Sequence, residues 1–270
     1  MTCLAVLSDP HLTADPASAA TLRAALAVVA AADPPDALVL PGDLAADGEP
    51  GAYAVLKAAI EPVAARLGIP VVAVPGNHDD PAALRAGMGA TPFTTWIGGL
   101  RIVALDSTVP GHHHGELSDA ELGRLAGELA HPAPAGTIVV LHHPPLRSPV
   151  PSVDLLRLRG ADRLAAAVDG SDVRMIVCGH AHHAGAGVLA GVPVWVAPAL
   201  AHQVDAFPPA GRLRGVAAPA FSRIDTLGVT AVATAVPCGG SPVYDVDAAE
   251  RIAWMHEHLQ EPQAPAGRRS

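Results

Sequence analysis

The chain has 270 residues, a formal net charge of −9 and only 16% charged residues, which suits one large domain or two small ones. The acidic balance and the lack of a basic stripe exclude a general nucleic-acid binder. No apolar run approaches the roughly 20 residues of a membrane span, and the two arginines near the C-terminus are too few to anchor a protein on acidic lipid.

Half the residues are hydrophobic but 3% are aromatic, so Ala, Val and Leu must build the core. Gly and Pro are spread along the chain, as many short loops require. Cys3, Cys178 and Cys238 are odd in number and far apart, and Cys3 and Cys178 read as buried thiols. The first apolar run, Cys3–Leu7, is too short for a signal peptide and has no basic residue before it. A cytoplasmic location is the expectation.

In chain order, Cys3–Leu7 reads as a strand ending in Ser8-Asp9-Pro10-His11. A helix is predicted over Thr21–Ala31, with Leu22, Leu26 and Val29 on one face. Ala37–Leu40 is a second strand, closed by Pro41-Gly42-Asp43. Ala52–Leu67 is helical, and Pro62 predicts a kink or break. Val71–Val74 stops at Pro75-Gly76 and delivers Asn77-His78-Asp79. Pro81–Met88 reads as a short helix with Asp79 and Asp80 at its start, and Leu100–Leu105 as an apolar run ending in Asp106.

A polar loop then carries His112, His113 and His114 before Ser118-Asp119-Ala120-Glu121, a capping box that opens a helix to about Ala130. Thr137–Leu141 ends in His142-His143, and Val173–Cys178 ends in Gly179-His180-Ala181-His182-His183. Asp154–Val168 reads as one helix despite Gly160. Beyond Val188 come short strands separated by Gly turns, then a helix near Ala248–Leu259 and a Pro/Arg tail. Alternating strands and helices followed by bare strands predict an α/β protein with two packed sheets and helices outside. Residues 1–240 form the main domain and 241–270 a C-terminal helix and tail.

Five strands thus end in Asp9/His11, Asp43, Asn77/His78, His142 and His180/His182. In open α/β sheets ligands collect at the carboxyl ends of strands. Taken singly, each stop is ordinary turn chemistry; five in succession are not. Nitrogen and oxygen donors without thiolate suit Mn, Fe, Zn or Co. The donors are too many for one ion, and two ions sharing a carboxylate use them all.

In this order, D-x-H, G-D, G-N-H-D, H and G-H-x-H resemble the calcineurin-like metallophosphoesterases, and within them the actinobacterial class III cyclic-nucleotide phosphodiesterases. G-D-L-A at 42–45, G-E-P-G-A-Y at 48–53, V-P-G-H-H-H-G-E at 109–116 and H-H-P-P at 142–145 extend the likeness. It runs from about Leu4 to about Val196 and implies a four-layer α/β/β/α sandwich, two mixed sheets flanked by helices. It implies that Asp9, His11, Asp43 and His182 hold one metal, often iron. Asp43, Asn77, His142 and His180 would hold the second, Mn or another divalent ion, with Zn or Co as alternatives, and Asp43 bridges.

The reaction implied is hydrolysis of a cyclic nucleotide, 3′,5′-cAMP first and 2′,3′-cyclic nucleotides next, by hydroxide activated between the ions. Asn77 and His78 are the implied catalytic residues. Asn77 binds without adding negative charge, and His78 stabilises phosphorane charge or protonates the leaving oxygen. His114 is the loop residue expected at the substrate; a solvated loop is the alternative for all three histidines. His183 is expected at the surface. Many relatives carry an acid where this chain has Ala46, which puts the partner of His78 in question. A glycerophosphodiesterase, a promiscuous phosphodiesterase and a non-catalytic binding or scaffold protein are the other readings. The partner expected is a small phosphodiester, with homodimers implied by the resemblance.

Overall fold

A computed structural model of the protein describes residues 1–258; the Pro/Arg tail falls outside the described residues. In chain order the elements are β1 (Thr2–Val6), α1 (Ala20–Ala31), β2 (Ala37–Pro41), α2 (Pro50–Leu67), β3 (Val71–Val74), α3 (Pro81–Met88), β4 (Thr94–Ile97) and β5 (Leu100–Ala104). β6 (Gly115–Glu116), α4 (Asp119–Leu129), β7 (Thr137–Val140), α5 (Pro151–Asp154), β8 (Leu158–Arg159), α6 (Ala161–Val168) and β9 (Val173–Cys178) follow. The chain continues through β10 (Gly185–Leu189), β11 (Val192–Val196), β12 (Gln203–Val204), β13 (Gly215–Val216), β14 (Ala220–Leu227) and β15 (Thr230–Pro237) to α7 (Ala248–His258).

One mixed sheet has the order β15-β14-β1-β2-β3 and the other β10-β11-β9-β7-β5-β4. β1, β2 and β3 are mutually parallel, as are β5, β7, β9 and β11; β14, β15, β10 and β4 pair antiparallel at the margins. Side chains alternate between two cores because the strand period is two. Leu4 and Val6 face Ile138, Val140, Met175 and Val177 between the sheets. Ala5 and Leu7 point outward to Leu22, Leu26, Tyr53, Leu56 and Ile60 of α1 and α2. On the far side Val139, Leu141 and Ile176 meet Leu125 of α4 and Leu164 of α6. Three cores therefore separate four layers, α/β/β/α.

Two helix expectations change. α2 runs without a break through Pro62. Pro62 and Ala58, whose carbonyl loses its partner, both lie on the exposed face, while Tyr53, Leu56, Ile60 and Ala64 pin the buried face. The predicted helix 154–168 is divided. Gly160 takes φ 61°, and Leu158–Arg159 just before it pair with Gly115–Glu116.

The capping box forms by half. Ser118 Oγ accepts the amide of Glu121 at 3.1 Å, but the Glu121 carboxylate accepts from Asp106 N at 3.1 Å instead of closing the box. β4 was not foreseen. It is a four-residue edge strand with mostly half-buried side chains.

Contacts divide the chain into Met1–Gly239 and Gly240–Ser270. In the second unit α7 begins where Asp247 Oδ1 accepts from Glu250 N at 2.9 Å, and the Trp254 ring stacks on His258 at 4.5 Å. Among the described residues no helix is long and apolar enough to cross a membrane.

Candidate metal centre

The carboxyl ends of β1, β2, β3, β7 and β9 meet at one edge of the paired sheets. Asp9 N donates to Gly42 O, His11 N to Asp43 O, and Gly179 N to His142 O, at 3.2, 3.1 and 3.0 Å. Six non-glycine residues with positive φ occur among the described residues. Five are Asp9 (51°), His11 (47°), Asp43 (50°), His180 (69°) and His182 (52°). A residue with a Cβ resists this region by about 1–3 kcal/mol. Strain confined almost wholly to these side chains marks a functional edge rather than a turn preference.

Donor atoms gather in two groups, Asp9, His11, Asp43 and His182 in one and His142, His143 and His180 in the other, with the atoms of each within 4.8 Å of one another. The Asp43 carboxylate lies between them. Its Oδ2 is 3.5 Å from His11 Nε2 and its Oδ1 3.3 Å from His142 Nε2. Asn77 Oδ1 lies 3.2 Å from His142 Nε2, which places the amide in the second group. His180 Nδ1 also approaches His142 Nε2, at 3.2 Å.

The donor chemistry fits metal ions. His142 Nδ1 lies 2.7 Å from Pro41 O and His182 Nδ1 3.1 Å from His202 O. A carbonyl can only accept, so these Nδ1 atoms carry hydrogen and each Nε2 is the nitrogen turned inward, the usual orientation of a ligating imidazole. His11 Nε2 and His182 Nε2 face each other at 3.0 Å. A cation shared by two facing nitrogens satisfies both.

Burial pulls His11 and His180 down to about 3 and also lowers His182, so these rings are neutral and free to ligate. Burial pushes Asp9 up to about 7, against the nearby His142 charge. Asp43 is held low although burial opposes ionisation, because His142 and His11 sit beside its carboxylate. Burial disfavours the charge on His142, yet Asp43 raises it to about 9. In the protein alone the two form a buried ion pair, and a bound cation would take the place of the His142 proton.

Glycines make room. A Cβ on Gly42 would strike the His142 ring, one on Gly76 the Asp43 carboxylate, and one on Gly179 Ser8 and Asp9. Gly42 also has φ 93°.

Comparisons with known proteins give the family. Residues 4–184 match the model of the calcineurin-like phosphoesterases. The chain belongs to that family. It is 42% identical over 267 residues to a probable cyclic nucleotide phosphodiesterase of Rhodococcus erythropolis, covering 92% of this chain and 89% of the relative. It is 44% identical over 214 residues to a cAMP/cGMP dual specificity phosphodiesterase of Mycobacterium tuberculosis, covering 76% of this chain and 67% of the relative. Among solved structures, a dimetal phosphatase from Danio rerio shares the fold with a TM-score of 0.59 at 14% identity, covering 88% of this chain and 96% of that one.

Around this phosphoesterase edge, His78 lies beside both groups, its ring 4.8 Å from that of His11. His78 N donates to Asp43 Oδ1 at 2.9 Å, and its Nδ1 reaches Ala46 O at 2.7 Å. At position 46 the group that meets the ring is thus the backbone carbonyl. Asp79 is not a helix start. Its carboxylate accepts from Leu44 N, Ala45 N, Gly76 N and Tyr53 Oη at 2.8–3.1 Å. It ties the loops after β2 and β3 together, and Asp80 alone caps α3.

The loop histidine at the centre is His113 rather than the expected His114. His113 Nδ1 lies 3.2 Å from Asn77 Nδ2 and its ring 5.9 Å from His78. His114 is buried and its ring faces His112 at 4.8 Å. His183 is half-buried, with Nε2 3.2 Å from Ser148 Oγ.

Two neighbours were not foreseen. His143 is fully buried, holds Ser107 Oγ at 2.8 Å through Nδ1, and among the described residues has no partner at Nε2. The H-H pair at 142–143 is the sequence signal that could have found it. The His202 ring lies 4.4 Å from that of His182. The bridge between Ser8 and Ala199 brings it there, and local sequence carries no sign of that pairing.

Proposed function

We propose that the protein is a dimetal phosphodiesterase acting on cyclic nucleotides, 3′,5′-cAMP first. The observation that carries the reading is the Asp43 carboxylate between two donor groups, with the Asn77 amide and the His78 ring beside it. The names of the Rhodococcus and Mycobacterium relatives support the substrate class. Asp9, His11, Asp43 and His182 would hold one ion, and Asp43, Asn77, His142 and His180 the other. Iron with manganese is the proposed pair, in a cytoplasmic homodimer.

Two such ions supply positive charge for the phosphate oxygens and an activated water. The rest falls to side chains. Asn77 contributes an amide oxygen to the second group without a negative charge that would repel the substrate. The Ala46 carbonyl takes the Nδ1–H of His78, so the opposite face of that ring is available to the phosphate or leaving oxygen. His113, exposed and 3.2 Å from the Asn77 amide, fixes that amide's orientation.

A panel of 3′,5′-cAMP, 2′,3′-cAMP, a glycerophosphodiester and an aryl phosphodiester with the metal-loaded protein tests this. Highest kcat/KM on 3′,5′-cAMP is expected; turnover of none of them contradicts the reading.

A further inference from the structure

The centre opens into a cleft of about 380 Å³, within the range of small-molecule sites. Its floor is Asn77, His78, His180 and His182; its wall is Val153, Leu156, Leu213 and Arg214. Leu213 is 62% and Leu156 37% exposed. Aliphatic side chains left in water beside a reacting centre mark a surface that something apolar covers.

The wall is tied to the centre. Val204 N donates to His182 O at 2.6 Å, and β12, which ends at Val204, pairs with β13 just after Arg214. Arg214 is itself fixed, because its Nε donates to Asp205 Oδ2 at 2.7 Å and Asp205 N donates to Arg214 O at 2.8 Å. A guanidinium held in one plane offers a stacking face to a flat ring. On the other side, the elbow with Val153 is held by Asp154, whose carboxylate accepts from Ser148 N and Arg147 Nε at 3.0 and 2.9 Å.

The cavity across Asn77 and His78 differs in kind. It is lined by Asp47, Asp80, Thr108 and His112. A diester reaching both sides meets an apolar, cationic wall on one and a polar, acidic one on the other.

We infer that the Val153–Leu156–Leu213–Arg214 wall is the subsite for the flat heterocycle of the substrate, and that it selects base-bearing diesters over glyceryl ones. The inference rests on the phosphodiesterase reading above and adds the part of the substrate that the wall recognises. An aliphatic wall with one guanidinium matches the faces of a purine. A glyceryl arm has no apolar face to cover two leucines.

The test is steady-state kinetics of the metal-loaded protein on 3′,5′-cAMP and on a glycerophosphodiester, for wild type, Leu156→Ser/Leu213→Ser and Arg214→Ala. Both leucines are partly exposed, so the fold tolerates the changes, and a melting curve of each variant checks it. The double variant is expected to raise KM for cAMP about tenfold, the scale of a few lost methylenes, with kcat nearly constant and a much smaller shift for the glyceryl diester. Putting Met instead of Ser at position 213, with Leu156→Ser kept, should recover a good part of the loss. Equal KM shifts on both substrates or no shift on either overturns the subsite while leaving the phosphodiesterase reading intact; a wild type that prefers the glyceryl diester overturns the subsite and the cAMP preference, leaving only the phosphodiester chemistry. A wild type that cleaves neither diester overturns both.

Discussion

His78 Nδ1 lies 2.7 Å from the carbonyl oxygen of Ala46. A backbone oxygen is present whatever side chain occupies the position, so the ring is oriented without a side-chain acid at position 46. Ala46→Gly is expected to keep kcat on a diester within about twofold, whereas His78→Ala should lower it by a factor of about 10² or more, the span of a lost acid–base group. A large loss in Ala46→Gly, in a protein that still melts normally, would show that the carbonyl is not the partner that matters.

Asp79 does a different kind of work from its neighbour His78. Three backbone amides and the Tyr53 hydroxyl converge on one carboxylate. Asp79→Leu leaves those donors without partners, at a cost of about 3 kcal/mol. In a domain of this size that is a fall in melting temperature of roughly 6–12 °C. Calorimetry of the metal-stripped protein would measure it free of any effect on metal loading.

A single methyl at Gly76 is expected to disturb both donor groups. The added Cβ would lie 2.8 Å from His142 Cε1 and against the Asp43 carboxylate, and backbone rather than a flexible chain end crowds it from behind. Gly76→Ala should reduce metal content at both sites together. Elemental analysis that finds one ion lost and the other kept would argue against a carboxylate shared between them.

Chelation should destabilise the fold. Facing nitrogens at His11 and His182 and five strained residues of the proposed donor set would gain from bound cations. Binding at a hundredfold excess over Kd contributes about 2.7 kcal/mol per site. Melting in the presence of a chelator should therefore come several degrees lower, and return on adding manganese.

Much of this was legible in the sequence because buried strands announce their ends. Leu4 to Val6 and Val71 to Val74 alternate between two cores, then stop where Asp9 and Asn77 meet the sheet edge. What escaped depends on contacts far apart in the chain. Three successive histidines give no period to say which faces inward; the turn closed by His112 N to Val109 O decides for His113. Asp79 precedes Pro81 and so resembles a helix start, yet its partners lie 26 and 34–35 residues back. His202 reaches His182 only because Ala199 bridges to Ser8. Gly160 was visible, but the choice between a tolerated glycine and a left-handed break rested on Leu158 pairing with Gly115.

The measurement that bears most directly on the dimetal account is metal content with diester turnover, run side by side on wild type and Asn77→Ala. The account predicts about two ions per chain in the wild type and turnover on 3′,5′-cAMP that falls by a factor of about 10² or more in the variant, together with metal lost from the second group. A wild type that binds no metal even with added manganese, or an Asn77→Ala protein that turns over as fast as its parent, would contradict it.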